Sequence, residues 1–78
     1  MQIFKVHNHM IENRVREFRE KLEMTQTELA EAISVSRQTI HSIESKKVIP
    51  TIEIAIKIGK VLKIKLEKLF FQSKKEMH

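Results

Sequence analysis

"TQTELAEAISVSRQTIHSIE", residues 25–44, reads as two short helices separated by a turn, and that reading decides the fold. Thr25 is a natural N-cap, and Glu28 three residues later completes a capping box that satisfies two otherwise unpaired amides. The helix it starts runs to about residue 33, with Leu29, Ala30 and Ile33 turned inward. Ser34 and Val35 leave room only for a tight turn. Ser36 caps the next helix, which ends near residue 45. That helix has two apolar residues, Ile40 and Ile43, among Arg37, Gln38, Thr39, His41 and Ser42. It can be held along one narrow face only, and the rest of its hydrogen-bonding capacity points outward.

Such a pair makes specific demands. A steep crossing needs a small residue at closest approach, which is Ala30. The turn needs an apolar plug, which is Val35. An anchor face is needed on the second helix, and Ile40 with Ile43 supplies it. These features describe a helix-turn-helix, a unit that places its second helix in a DNA major groove with its N-terminal residues against base edges.

Outward from this unit, Ile11, Val15, Phe18 and Leu22 recur at spacings of four, three and four, which predicts a preceding helix. Pro50 keeps Ile49 out of the α region and Thr51 caps a fourth helix reaching about residue 62. A short fifth helix spans 66–71. The expected architecture is all-α, a five-helix bundle with a helix-turn-helix, in a domain of residues 11–71. A polar tail follows at 72–78. Residues 1–10 form an N-terminal arm whose stretch "QIFKV", residues 2–6, is rich in strand formers. A lone strand has no partner, so the arm is either disordered or paired with its copy in a second chain; Met10 is also an alternative start.

Seventy-eight residues make one small domain with a marginal core. The absence of cysteine removes disulfides and thiolate metal sites, and it favours the cytoplasm for a domain this small. No apolar run approaches the roughly 20 residues of a membrane span, and no signal peptide is evident. Net charge is +5, but it is uneven: residues 1–45 carry −1 and residues 46–78 carry +6. The polar helix lies in the near-neutral half, so charge alone supports a nucleic-acid partner only weakly.

Residues 13–70, and "TQTELAEAISVSRQTIHSIE" above all, resemble the phage-repressor and Cro (Xre) family of five-helix DNA-binding domains, the lambda-repressor-like fold. The resemblance implies a transcriptional regulator, a repressor by type, bound to near-palindromic double-stranded DNA as a homodimer. By position it implies that Gln26 bonds backbone phosphate and braces the base-reading residues. Arg37, Gln38 and Thr39 would meet base edges, with Ser42 one turn on, and Ser45 and Lys47 would hold phosphate. Ser36, His41 and Lys46 border this set. Chemistry agrees, since Arg pairs bidentately with guanine and Gln with adenine. Arg19 and Glu44 match a family ion pair tying the first helix to the third.

The sequence also departs from the family. Positions where the family prefers a helix-ending Gly hold Glu23, Ser34, Lys46 and Lys63, so either the turns differ or four caps are strained, each by about 1 kcal/mol. The sole Gly, Gly59, lies inside the fourth helix and suggests close packing there. That helix is apolar nearly all round. Placing Ile52, Ala55, Ile56, Gly59 and Leu62 against helices one to three leaves Ile54, Ile58 and Val61, with Ile64, Phe70 and Phe71, as an expected dimer interface.

Other chemistry finds little support. His7 and His9 lack a third ligand, so no metal is expected, nor any cofactor. The chain has no Asp and no Gly-rich loop, which argues against an enzyme. Two rivals to a repressor remain: the antitoxin of a toxin–antitoxin pair, with a toxin protein as added partner, and an interaction module that kept the fold.

Overall fold

The computed structural model describes residues 11–72. The arm stretch 2–6, the His7/His9 pair and most of the expected tail lie outside the described residues. The elements are β1 (Ile11–Asn13), α1 (Val15–Lys21), α2 (Gln26–Ala32), α3 (Arg37–Glu44), α4 (Ile52–Leu62), α5 (Leu66–Leu69) and β2 (Phe70–Gln72). Five helices surround a core of Val15, Leu29, Ala30, Ile33, Ile40, Ile43, Ile58, Leu62 and Leu69.

The two strands are the first difference from the sequence reading. β1 and β2 pair antiparallel with Ile11 opposite Gln72, Glu12 opposite Phe71 and Asn13 opposite Phe70. Ile11 is therefore a strand residue, and the fifth helix gives way to extended chain at Phe70. Pairing between segments nearly sixty residues apart leaves no local periodicity to read. Asn13 makes the junction with α1. Its Oδ1 accepts from Val15 N at 3.2 Å, and its Nδ2 donates to the Ile43 carbonyl at 3.0 Å, tying β1 to the end of α3. Leu22 also falls outside its expected role: it is the C-cap of α1 and 51% exposed.

Four helices end alike. Glu23, Ser34, Lys46 and Lys63 have φ of 56°, 63°, 68° and 60°, all left-handed and all non-glycine. Each is followed by an amide that reaches back five residues: Met24 to Arg19 O, Val35 to Ala30 O, Lys47 to Ser42 O and Ile64 to Gly59 O, at 2.9–3.2 Å. These are Schellman closures made without the residue that makes them easily. The turns keep their shape, and the caps carry the strain.

The phase of α4 is the main correction. Ile58 is fully buried and Ile54 half-buried against the core, while Ile52 is 74% exposed and Ile56 is exposed as well. Ile58 is thus unavailable as an interface residue. Ile54, Val61, Ile64 and Phe70 pack against the core too, and half-buried Phe71 lies beneath the Arg14 guanidinium at 5.3 Å. Gly59 explains the rotation. A Cβ there would stand 3.0 Å from the Ile64 carbonyl oxygen and 3.5 Å from Leu66 Cδ2, so its bare face is covered by the turn into α5. With that face committed to α5, Ile58 is carried into the core and Ile52 and Ile56 face out.

Candidate nucleic-acid interface

Helix α3 presents the features its sequence predicts. Ser36 Oγ accepts from Thr39 N at 3.1 Å and caps the helix. Ile40 and Ile43 are fully buried and hold it by one face. Arg37, Gln38 and His41 are exposed, with Thr39 and Ser42 half-buried beside them. Ser36 Oγ and Thr39 Oγ1 share a hydrogen bond of 3.0 Å, and Gln38 Nε2 donates to Ser42 Oγ at 3.4 Å. The base-facing candidates therefore form one continuous polar surface along the N-terminal half of α3.

Behind that surface lies the ion pair that the family resemblance implies. Arg19 Nε donates to Glu44 Oε2 at 2.7 Å and Nη2 donates to Oε1 at 3.0 Å. The two side chains are 9% and 4% exposed. Arg19 Nη1 reaches the Met24 carbonyl at 2.6 Å, so the buried guanidinium has partners on both edges. The hydrogen bond from Arg19 to Glu44, outweighing burial, holds its pKa above the ordinary value. A raised arginine pKa adds stability that is present below the ordinary value and lost only as pH rises above it, so this guanidinium stays charged at every working pH.

The network continues to the surface. Gln26, first residue of α2, donates from Nε2 to Glu44 Oε1 at 3.0 Å. Its Oε1 accepts from Arg37 Nη1 at 2.8 Å. Four side chains from three helices thus connect Met24 to the exposed tip of Arg37. Thr25 supports the start of α2 through its capping box: Thr25 N donates to Glu28 Oε1 at 2.8 Å and Glu28 N to Thr25 Oγ1 at 3.0 Å.

The loop after α3 is mixed. Ser45 Oγ turns back onto the Ser42 carbonyl at 3.3 Å. Lys46 pairs with Glu12 of β1. Lys47 and His41 are exposed, and among the described residues their side chains make no hydrogen bond or ion pair. Sequence reasoning missed Glu12 and Asn13. Asn13 had a faint signal, a short polar residue before a helix. Glu12 had none, because its partner lies 34 residues away.

A cap, a tight left-handed turn and a helix anchored by two isoleucines define a helix-turn-helix with an open polar face. The chain belongs to the helix-turn-helix family of the Xre type: the family model matches residues 15–69. That family works by binding DNA, not by catalysis. An uncharacterized HTH-type transcriptional regulator of Archaeoglobus fulgidus is 41% identical over 64 residues, covering 82% of this chain and 90% of its own. YgzD of Bacillus subtilis, an uncharacterized HTH-type transcriptional regulator, is 34% identical over 61 residues, or 78% of this chain and 92% of its own. A candidate DNA-binding protein from Bacteroides fragilis has the same fold, with a TM-score of 0.72 at 26% identity, covering 78% of this chain and 98% of that one. Among the described residues no helix is long and apolar enough to cross a membrane.

Proposed function

We propose that this chain is a sequence-specific transcriptional repressor that binds a near-palindromic operator as a homodimer. One observation carries the reading: the only apolar anchors of α3 are Ile40 and Ile43, leaving Arg37 and Gln38 exposed at its N-terminal end with Arg37 held by Gln26. Arg37 and Gln38 read base edges in the major groove, with Thr39 and Ser42 beside them. Gln26, Ser36, Ser45 and Lys47 hold phosphate and set register. His41 borders that track, and Lys46 joins it when its pairing with Glu12 opens.

Homodimerisation fits what the fold leaves uncovered. With the expected interface absorbed into the core, the exposed large apolar residues after α3 among the described residues are Val48, Ile49, Ile52 and Ile56. They offer a second copy an apolar contact. Two copies would then present their recognition helices about 34–36 Å apart, one turn of DNA.

Selection of bound fragments from a random DNA pool tests both parts. The expected product is two inverted half-sites about one helical turn apart. A pool that stays random would end the operator reading, and a single unpaired half-site would end the dimer. Co-purification with a toxin-like protein encoded beside it would favour the antitoxin form of the same DNA-binding activity.

A further inference from the structure

The buried ion pair reaches further than holding α1 to α3. We propose that Glu44 is a positioning residue for base reading, setting the edge that Arg37 presents to DNA through the amide of Gln26. The inference rests on the operator-binding reading above.

A carboxylate only accepts hydrogen bonds and a guanidinium only donates them, whereas a glutamine amide does one at each end. Gln26 sits between the two kinds. Its Nε2 lies 3.0 Å from Glu44 Oε1, and its Oε1 lies 2.8 Å from Arg37 Nη1. Turning the amide over would set oxygen against oxygen at Glu44 and donor against donor at Arg37. Both ends demand the same orientation, so the chemistry fixes it. Glu44 is fixed in turn by the two bonds from Arg19 at 2.7 and 3.0 Å, almost entirely out of solvent. The root of the chain is rigid and its tip is exposed.

The tip has a defined polarity. Holding Arg37 by Nη1 leaves Nε and Nη2 unengaged among the described residues. That edge is a two-donor fork of the spacing that guanine O6 and N7 accept. Gln26 thus acts on the base pair Arg37 reads and not on the one Gln38 reads, because Gln38 bonds only Ser42. The acceptor at Glu44 thus sets the amide orientation that Arg37 meets.

Two double variants separate positioning from mere support. Arg19→Met with Glu44→Met removes the ion pair and the acceptor facing Gln26; replacing a buried pair by apolar groups of similar volume is often tolerated. Arg19→Met with Glu44→Gln removes the ion pair but keeps an oxygen that Gln26 can donate to. Affinity is measured for the selected operator and its single-base-pair variants. Arg37→Ala should erase preference at one base pair, by about tenfold. The Met/Met variant should lose three- to fivefold of discrimination at that same pair and none at the Gln38 pair. The Met/Gln variant should retain it. Identical behaviour of the two double variants, or a loss spread evenly over all positions, would overturn the proposal. If neither double variant folds, Gln26→Leu with the ion pair intact must add the same single-position loss to the uniform weakening from its lost phosphate contact, and a uniform weakening alone would overturn the proposal. Arg37→Ala without any base-specific effect would instead overturn the recognition reading itself.

Discussion

Helices α3 and α4 both have an exposed face, and the two faces could hardly differ more. On α3 the solvent side carries Arg37, Gln38 and His41, and only Ile40 and Ile43 are apolar. On α4, Ile52 and Ile56 are exposed while Ile58, Gly59 and Leu62 are buried. A helix with two apolar residues has one way to sit on a core. A helix with eight apolar positions among eleven has several, and the choice falls to its neighbours. The scarcity of apolar residues on α3 makes it readable. Their excess on α4 makes it ambiguous and leaves a surplus available for association.

The contrast can be tested from its deepest contact outward. Glu44→Ala should be the most damaging single change, about 3–5 kcal/mol, because it leaves Arg19 charged, buried and unpaired. Chemical denaturation measures it, and a loss under about 1 kcal/mol would mean that the pair is no more than a surface contact. On α4, Ile58→Ala should cost about 2–5 kcal/mol, while Ile52→Ala should stay within about 0.5 kcal/mol. A larger loss at Ile52 than at Ile58 would return the helix to the orientation expected from its sequence.

On α3 the effects should move from stability to binding. Arg37→Ala and Gln38→Ala are each expected to weaken the operator complex by about 1–3 kcal/mol and to leave the melting temperature in place. Lys47→Ala should weaken all sequences alike and flatten the salt dependence by about one phosphate contact. Unchanged operator affinity for Arg37→Ala and Gln38→Ala would remove α3 from the groove. For the surplus face, Ile52→Glu should leave the fold intact, shift the sedimentation coefficient from dimer to monomer at micromolar concentration and weaken operator binding. A wild-type monomer with full operator affinity would dispose of the dimer.

The smallest effects lie at the end of α4. Lys63→Gly should stabilise by about 1 kcal/mol or less, since glycine takes its φ of 60° without steric cost but loses more entropy on folding. Gly59→Ala should destabilise despite the better helix propensity of alanine, because the oxygen 3.0 Å from the new Cβ belongs to the backbone of Ile64. A more stable Gly59→Ala protein would show that the close approach to α5 can relax, and with it the stated reason for the phase of α4.

Local chemistry was legible throughout. Thr25 with Glu28, Ser36 and Thr51 cap the helices their positions predict, since a cap needs only residues three apart. The core positions of α2 and α3 followed from spacing, and the Arg19–Glu44 pair from the family resemblance. The four left-handed caps were flagged by what stands where glycine is expected. The illegible parts were all long-range or degenerate. β1 and β2 are three residues each and meet only across the whole domain. The pairing of Lys46 with Glu12 depends on that meeting.

The sequence by itself determined the helix-turn-helix, its exposed polar face and its family, because capping and a sparse apolar stripe act within a few residues of one another. Only the tertiary structure decided which face of α4 enters the core, where the strands pair, and that Gln26 stands between Glu44 and Arg37. Those outcomes depend on elements brought together from distant parts of the chain. Where many apolar arrangements are locally equivalent, close packing against Gly59 and a carboxylate that must be satisfied choose among them.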